Sequence, residues 1–228
     1  MIVIFVYAGR PHFFVVEGDT TVPGPPTPTV VAAAPAAERR SVLRDPSFLR
    51  LWAGTTASGL ATWAMPFVLG LAVLDGALSP SALGLVLATR TAGFLGAVVV
   101  GGVLADRYSR RSVVWWAGLA AALASPVLAA GVGRSVTVMA LAGVVIGAGQ
   151  GACRPAFQAL TAEVVDPARR QQANAAMTLS VRVTTLAGPA LAAVLAAFLA
   201  IPVLLLGMGL VWLAAAAVPP RGRLAPEA

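Results

Sequence analysis

Six stretches of the chain are apolar, almost free of charge and long enough to cross a lipid bilayer as helices. They run from Leu51 to Leu74, Ser81 to Ala105, Ser112 to Gly133, Val136 to Leu160, Asn174 to Leu199 and Ile201 to Val218. A membrane-crossing helix needs about 20 mostly apolar residues, because its backbone amides must bond to one another across about 30 Å of hydrocarbon. The pattern therefore predicts an all-α membrane protein with six transmembrane helices.

The composition agrees with this fold class and excludes several others. Hydrophobic residues make up 58% of the chain and charged residues 11%, which is too few charges to cover a water-soluble surface. The net charge of +7 comes from arginines spread along the chain, without the aromatic-studded basic face of a nucleic-acid binder. One cysteine and one histidine leave no internal disulfide and no metal-ligand set. We therefore expect a lipid bilayer as a partner, and no nucleic acid, metal or cofactor.

Connections between the spans are short, so we expect consecutive helices to run antiparallel and pack side by side. Arginines collect at alternate connections, and loops rich in arginine stay in the cytoplasm. One side carries Arg39, Arg40, Arg44, Arg50, Arg107, Arg110, Arg111, Arg169, Arg170, Arg221 and Arg223, whereas the other carries Arg134. The sequence thus predicts a multi-pass protein of the plasma membrane with both termini in the cytoplasm.

The ends of the chain differ in composition from the middle. Residues 1–47 contain an apolar start too short to span, followed by a Pro-, Thr- and Ala-rich segment over 20–37. Such a segment has little apolar surface to bury, so we expect a disordered cytoplasmic tail. Residues 48–218 then form the transmembrane domain, and residues 219–228 form a second cytoplasmic tail.

Glycines are dense inside the predicted spans. Gly143, Gly147 and Gly151 recur at four-residue spacing in the fourth one. Small residues on one face let membrane helices approach closely, so general close packing is the expected role of this pattern.

A charged segment, GGVLADRYSRR, lies between the second and third spans. It resembles the signature cytoplasmic loop of the major facilitator superfamily of secondary transporters. Gly102, Asp106, Arg107, Arg110 and Arg111 match that signature, while Ser109 stands where a glycine is usual. Residues 44–218 as a whole resemble the drug and siderophore exporter branch, which includes macrolide efflux proteins.

The resemblance implies half of a major-facilitator bundle, built as 3+3 inverted repeats, with a loop that holds the inner gate. From the residues alone, the same arginines can be ordinary positive-inside charges with Asp106 as their local partner. A second motif, TLAGPALAA, resembles the glycine-proline signature of antiporters in the family. It would make Gly188 and Pro189 a pivot in the fifth helix, although a tolerated membrane proline is an equal alternative.

Charges and amides inside the spans are candidates for the substrate pathway, because burying them in hydrocarbon is costly. Arg90 lies near the middle of the second span, where it binds an anionic substrate group, pairs with a carboxylate on another helix, or is a structural arginine bonded to carbonyls. Arg182 either lines a cavity or extends to the headgroups. Gln150 contributes a polar contact or an interhelical hydrogen bond. Arg154 and Glu163, near the end of the fourth span, are predicted as inner-gate residues.

The family resemblance implies export of a small amphipathic drug-like or siderophore-like compound. Members have two six-helix halves, and this chain resembles the N-terminal half. It is therefore either an inactive or partnered half-transporter, or a half-size transporter that works as a homodimer. A six-span membrane enzyme is the remaining alternative, but His12 lies in the tail and no G-x-S-x-G occurs, so we predict no catalysis.

Overall fold

The computed structural model describes residues 5–7, 10–12 and 41–219, except for the side chains of residues 5–7, 10–12 and 102–106. The chain divides into two compact units, Met1–Pro35 and Ala36–Ala228. In the first unit, strands β1 (Phe5–Tyr7) and β2 (Arg10–His12) pair antiparallel as a short hairpin. The tail predicted for residues 1–47 thus includes this hairpin. Its Pro-rich segment, 20–37, and residues 220–228 of the second tail lie outside the described residues.

The described part of the second unit contains six α-helices, at the positions of the six predicted spans. They are α1 (Pro46–Leu74), α2 (Pro80–Arg107), α3 (Arg110–Gly131), α4 (Val136–Val164), α5 (Arg170–Ala196) and α6 (Ile201–Ala217). Five of them are long and apolar enough to cross a membrane, and α6 is a shorter apolar helix of 17 residues. At 1.5 Å per residue, α6 is about 25 Å long, which is near the lower limit for a span.

The helical unit begins before the predicted boundary at residue 48. Val42–Arg44 form one turn of 3-10 helix, and the Val42 side chain is buried. Asp45 then caps α1, because its Oδ1 accepts hydrogen bonds from the backbone N–H groups of Ser47 (2.9 Å) and Phe48 (3.4 Å). A polar cap adds nothing to a hydropathy count, so the predicted span starts late, at Leu51.

The packing of the helices corrects one expectation. Among consecutive helices in the described part of the chain, α3 and α4 share an extensive interface, whereas α1 and α2, α2 and α3, and α5 and α6 barely touch. The extensive interfaces join α2 with α4, α1 with α5, α3 with α6 and α1 with α6. A short turn fixes only where the next helix starts, and complementary side-chain surfaces decide which helices pack together.

These interfaces reveal a repeat within the bundle. When α1, α2 and α3 are exchanged with α4, α5 and α6, the pair α2 and α4 becomes α5 and α1, and the pair α3 and α4 becomes α6 and α1. The pair α3 and α6 is converted into itself. The chain passes along the bundle three times before α4 begins. The helices α4, α5 and α6 therefore run in the opposite direction to α1, α2 and α3. This arrangement agrees with the expected 3+3 inverted repeats.

The interface between α2 and α4 depends on glycine. A Cβ atom on Gly147 would lie 1.9 Å from the carbonyl oxygen of Arg90, and one on Gly151 would lie 2.3 Å from that of Phe94. A Cβ on Gly93, from the other side, would lie 2.2 Å from the carbonyl oxygen of Val144. The four-residue glycine spacing is therefore a close-packing face, as predicted, and it brings the two helix backbones into contact.

Candidate functional site

A cleft of about 540 Å³ lies among α1, α2, α4 and α5. This volume is within the usual range for a site that holds a drug-sized molecule. The cleft is lined by Thr55, Ser58, Gly59, Thr62, Trp63, Phe94, Gln150, Cys153, Arg154, Phe157, Gln158, Thr161, Met177, Thr178, Val181, Arg182 and Thr184. These residues lie in the middle of the helices and toward the bundle end that carries Arg110 and Arg169, which we call the arginine-rich end.

The lining combines polar and aromatic side chains. Several hydroxyls donate to carbonyls one turn back in their own helices, as Thr62 does to Ser58 (2.7 Å) and Thr161 to Phe157 (2.9 Å). These bonds satisfy the hydroxyl protons inside the membrane and leave the oxygens free to accept. Trp63, Phe94 and Phe157 come from three different helices and add aromatic surface. The cleft therefore suits a molecule with both polar and apolar parts.

Arg182 and Arg154 both line the cleft. For Arg182, this position agrees with the first of the two predicted alternatives. Arg154 was predicted to act with Glu163 at an inner gate, but the structure places it in the cleft. The two residues are nine apart in α4, which separates them by about 13 Å along the helix axis. No hydrogen bond or ion pair joins Arg154 to Glu163, or to any other described residue.

Arg90 and Gln150 are brought together at the interface of α2 and α4. Arg90 Nη2 donates to Gln150 Oε1 (2.7 Å) and to the backbone carbonyl of Thr62 (3.2 Å). Arg90 is thus bonded to carbonyl groups, as one of its predicted alternatives states, and both acceptors belong to residues that line the cleft. Among the described residues, Arg90 Nε and Gln150 Nε2 are buried without a hydrogen-bond partner.

The signature loop holds the end of the bundle together. Arg110, at the start of α3, forms an ion pair with Glu163 at the end of α4. Arg111 donates to the backbone carbonyl of Pro219, just after α6 (2.6 Å). Arg107 is exposed; Gly102 and Asp106 are in α2, and the side chain of Asp106 is outside the described part of the chain. Two of the signature arginines therefore bond to residues that are 53 and 108 positions away in sequence.

A second group of polar contacts at the arginine-rich end was not predicted from the sequence. Arg169 approaches Asp45 to 3.9 Å and also pairs with Asp166. Trp52 Nε1 donates to the carbonyl of Ala176 (3.0 Å), which ties α1 to α5. A charged residue near a helix end looks like ordinary surface in a sequence, and an indole N–H inside an apolar span gives no sign of its acceptor, so neither contact had a sequence signal.

The predicted pivot lies at the interface of α1 and α5. A Cβ on Gly188 would lie 3.0 Å from Trp63 Cβ and 3.1 Å from the carbonyl oxygen of Leu60, so this glycine permits a close approach. Pro189 lies inside α5, which continues to Ala196 as one helix. Because Trp63 lines the cleft, the glycine-proline motif is adjacent to the candidate site.

Charge within the spans does not identify most of the uncharged cleft residues. In the sequence, these residues recur at helical spacing. On α1, the i, i+3, i+4, i+7 spacing of one helix face is followed by Thr55, Ser58, Gly59 and Thr62. On α4, Gln150, Arg154, Gln158 and Thr161 form a similar stripe. A search for polar stripes within apolar helices would have identified both walls.

The family of the chain follows from a comparison with known proteins. Residues 51–227 match the family model described as Major Facilitator Superfamily. The match covers more than half of the chain, from Leu51 in α1 to beyond the end of α6, so the chain belongs to this superfamily, whose members are transporters. No curated protein matches the chain.

Proposed function

We propose that this protein is an exporter of the major facilitator type that moves a small amphipathic, drug-like or siderophore-like compound out of the cell. The observation that carries the proposal is the cleft of about 540 Å³, which has polar and aromatic walls in the middle of an otherwise apolar bundle. Polar groups within spans are costly unless they line a watery pathway or pair with one another. A cleft at this depth fits the substrate site of a secondary transporter, which lies near the bilayer midplane.

The proposed inner gate consists of the signature loop and its partners. The ion pair of Arg110 with Glu163 joins α3 to α4, and the hydrogen bond of Arg111 to Pro219 joins α3 to the segment after α6. These contacts make the arginine-rich end of α3, α4 and α6 a unit that moves together when the transporter changes between its inward and outward states.

In the proposed orientation, the arginine-rich end faces the cytoplasm and the protein lies in the plasma membrane. Positive loops are retained on the cytoplasmic side, and the described arginines outside the spans, apart from Arg134, are at this end. The cleft extends from the middle of the bundle toward the same end, which corresponds to access from the cytoplasm. The substrate would enter there before export.

The proposed transport cycle needs a second six-helix bundle, either another copy of this chain or a separate half. Arg154, Gln158 and Arg182 line a cleft between helices rather than a closed cavity. Lipid tails would not solvate such charges, so a protein surface must cover the cleft inside the membrane.

The test is accumulation of three fluorescent amphiphiles in an efflux-deficient bacterium: fluorescein, Nile red and rhodamine 123. Cells with the protein in their membranes should accumulate at least one dye less than control cells. Thr178→Trp should abolish the difference, because Thr178 lines the cleft and a large side chain would fill it. Leu186→Trp is the matched control, since Leu186 is exposed on the same helix and is not part of the lining. Equal accumulation of all three dyes, with the protein inserted, would contradict export.

A further inference from the structure

The charge of the cleft is positive, and no described acidic side chain lines it. Arg154 and Arg182 are both in the lining, whereas the carboxylates of Asp45, Glu163 and Asp166 are paired with arginines at the end of the bundle. Asp75, the remaining described carboxylate, is at the C-terminal end of α1. The two cleft arginines therefore have no anionic partner among the described residues.

Arg90 adds a third positive charge behind the wall of the cleft. Its guanidinium is mostly buried and bonds to Gln150 and Thr62, which supply neutral oxygen atoms. A neutral acceptor satisfies a proton but does not cancel a charge, and the low dielectric of the surroundings leaves its field poorly screened. Since Gln150 and Thr62 are themselves lining residues, this field acts on whatever occupies the cleft.

Three arginines with no counter-charge among the described residues are an expensive arrangement in the middle of a membrane protein. An anion in the cleft would offset this cost, and a guanidinium offers a carboxylate, sulfonate or phosphate two parallel hydrogen bonds. A cation would add to the repulsion. The charge pattern therefore selects the sign of the ligand.

We propose that the cleft binds an amphipathic anion, a statement that rests on the proposed function and specifies its substrate class. The acidic group lies beside Arg154 and Arg182, and the apolar body lies against the aromatic surface of Trp63, Phe94 and Phe157. The volume of about 540 Å³ accommodates a molecule of a few fused or linked rings. The acid can belong to a soluble compound or to an anionic lipid headgroup, which share this chemistry.

The test is equilibrium binding of two dyes to the purified full chain in detergent micelles, followed by fluorescence polarisation. Fluorescein and rhodamine 123 share a xanthene framework and carry opposite charges, so their comparison isolates the effect of charge. We expect fluorescein to bind at least tenfold more tightly. Arg154→Gln and Arg182→Gln should each weaken fluorescein binding by about tenfold, which corresponds to about 1.4 kcal/mol.

Three further variants control for folding and position. Arg154→Lys and Arg182→Lys keep the charge but lose the two parallel hydrogen bonds, so each should weaken fluorescein binding less than the corresponding glutamine variant does. Arg134→Gln removes an exposed arginine at the opposite end of the bundle and should leave binding unchanged. Adding phosphatidylglycerol or phosphatidylcholine to the micelles distinguishes a lipid ligand from a soluble one. Displacement of fluorescein by phosphatidylglycerol alone identifies an anionic lipid headgroup as the ligand. If neither lipid displaces fluorescein, the ligand is a soluble anion.

Equal or tighter binding of rhodamine 123, absence of fluorescein binding, or affinity unaffected by the glutamine variants would overturn the proposal. Binding is measured without a membrane gradient, so a failure of export in cells does not affect it. Conversely, export of rhodamine 123 with no affinity for fluorescein would refute the anion assignment and leave the exporter function intact.

Discussion

Individual side chains determine how the helix ends of this bundle are held, as Ser109 illustrates. The superfamily signature usually has glycine at this position, and here the serine caps α3. Its Oγ accepts a hydrogen bond from the backbone N–H of Ser112 at 3.2 Å, and its φ of −61° needs no glycine. Serine is a slightly better cap than glycine, so the departure strengthens the start of α3. Arg110 and Arg111 follow directly and remain available to bind other helices.

The ion pair between Arg110 and Glu163 should make a small, measurable contribution to stability. Both side chains are about one-third exposed, at 33% and 32%, so water screens the attraction. In a double-mutant cycle with Arg110→Ala and Glu163→Ala, we expect a coupling free energy of about 0.2–1 kcal/mol. Unfolding of the purified variants in micelles measures it.

The control cycle pairs Glu163→Ala with Arg134→Ala. Arg134 is at the opposite end of the bundle and its described hydrogen bond, at 3.5 Å, reaches only Ala130. Distant residues without shared partners give additive effects, so the coupling here should be near zero. A coupling near zero for Arg110 and Glu163 as well would mean that the pair does not hold α3 against α4.

Pairs of helices in this bundle are selected by small residues rather than by the turns that connect them. The backbone of α4 approaches α2 closely because Gly143, Gly147 and Gly151 share one face. Such faces supply packing energy in a bilayer, where the hydrophobic effect between helices is absent. The stability of the α2 and α4 interface should therefore depend steeply on the size of these residues.

Gly147→Ala should destabilise the protein by about 1–3 kcal/mol, the usual cost of overpacking. The added Cβ would lie 1.9 Å from the carbonyl oxygen of Arg90, so the two helices must separate. Gly96→Ala is the matched control in α2, because nothing lies within 4 Å of its Cβ position. It should be neutral or stabilise by up to about 1 kcal/mol through helix propensity. Thermal unfolding in micelles compares the two, and equal effects would contradict the packing argument.

The bundle as a whole has one proposed orientation in the membrane, which labelling of intact cells can test. In a Cys153→Ala background, an impermeant maleimide should label Arg134→Cys directly. Tyr108→Cys, whose position in the signature loop is 62% exposed, should react only after the membrane is permeabilised. The reason is that arginine-rich loops stay in the cytoplasm. Labelling of Tyr108→Cys in intact cells would overturn the orientation and the inner-gate proposal.

The sequence predicts the number and bounds of the helices well, because hydropathy depends on local composition. It does not predict which helices pack together, since that depends on surfaces far apart in the chain. Arg154 shows the consequence. Its position near the end of α4 suggested a gate residue, but it lies on the face of α4 that lines the cleft. Glu163 does lie at the end of the bundle, as predicted for a gate residue, but its partner Arg110 is 53 residues away in sequence and could not be identified without the fold. The charged candidates were thus identifiable, while their partners required the fold.

The polar bonds that cross between helices are unevenly distributed along the bundle. Among the described residues, those joining distant parts of the chain lie at the arginine-rich end or in the middle, as with Arg111 to Pro219, Trp52 to Ala176 and Arg90 to Gln150. At the opposite end, described hydrogen bonds stay within a few residues, as for Ser79 and Arg134. The two ends therefore depend on different forces: polar bonds at the arginine-rich end, and apolar packing at the opposite end, where Leu69, Leu128 and Met139 are buried. Salt screens exposed charges and does not weaken apolar packing, so high salt should speed amide hydrogen exchange at the arginine-rich end and leave the opposite end unchanged.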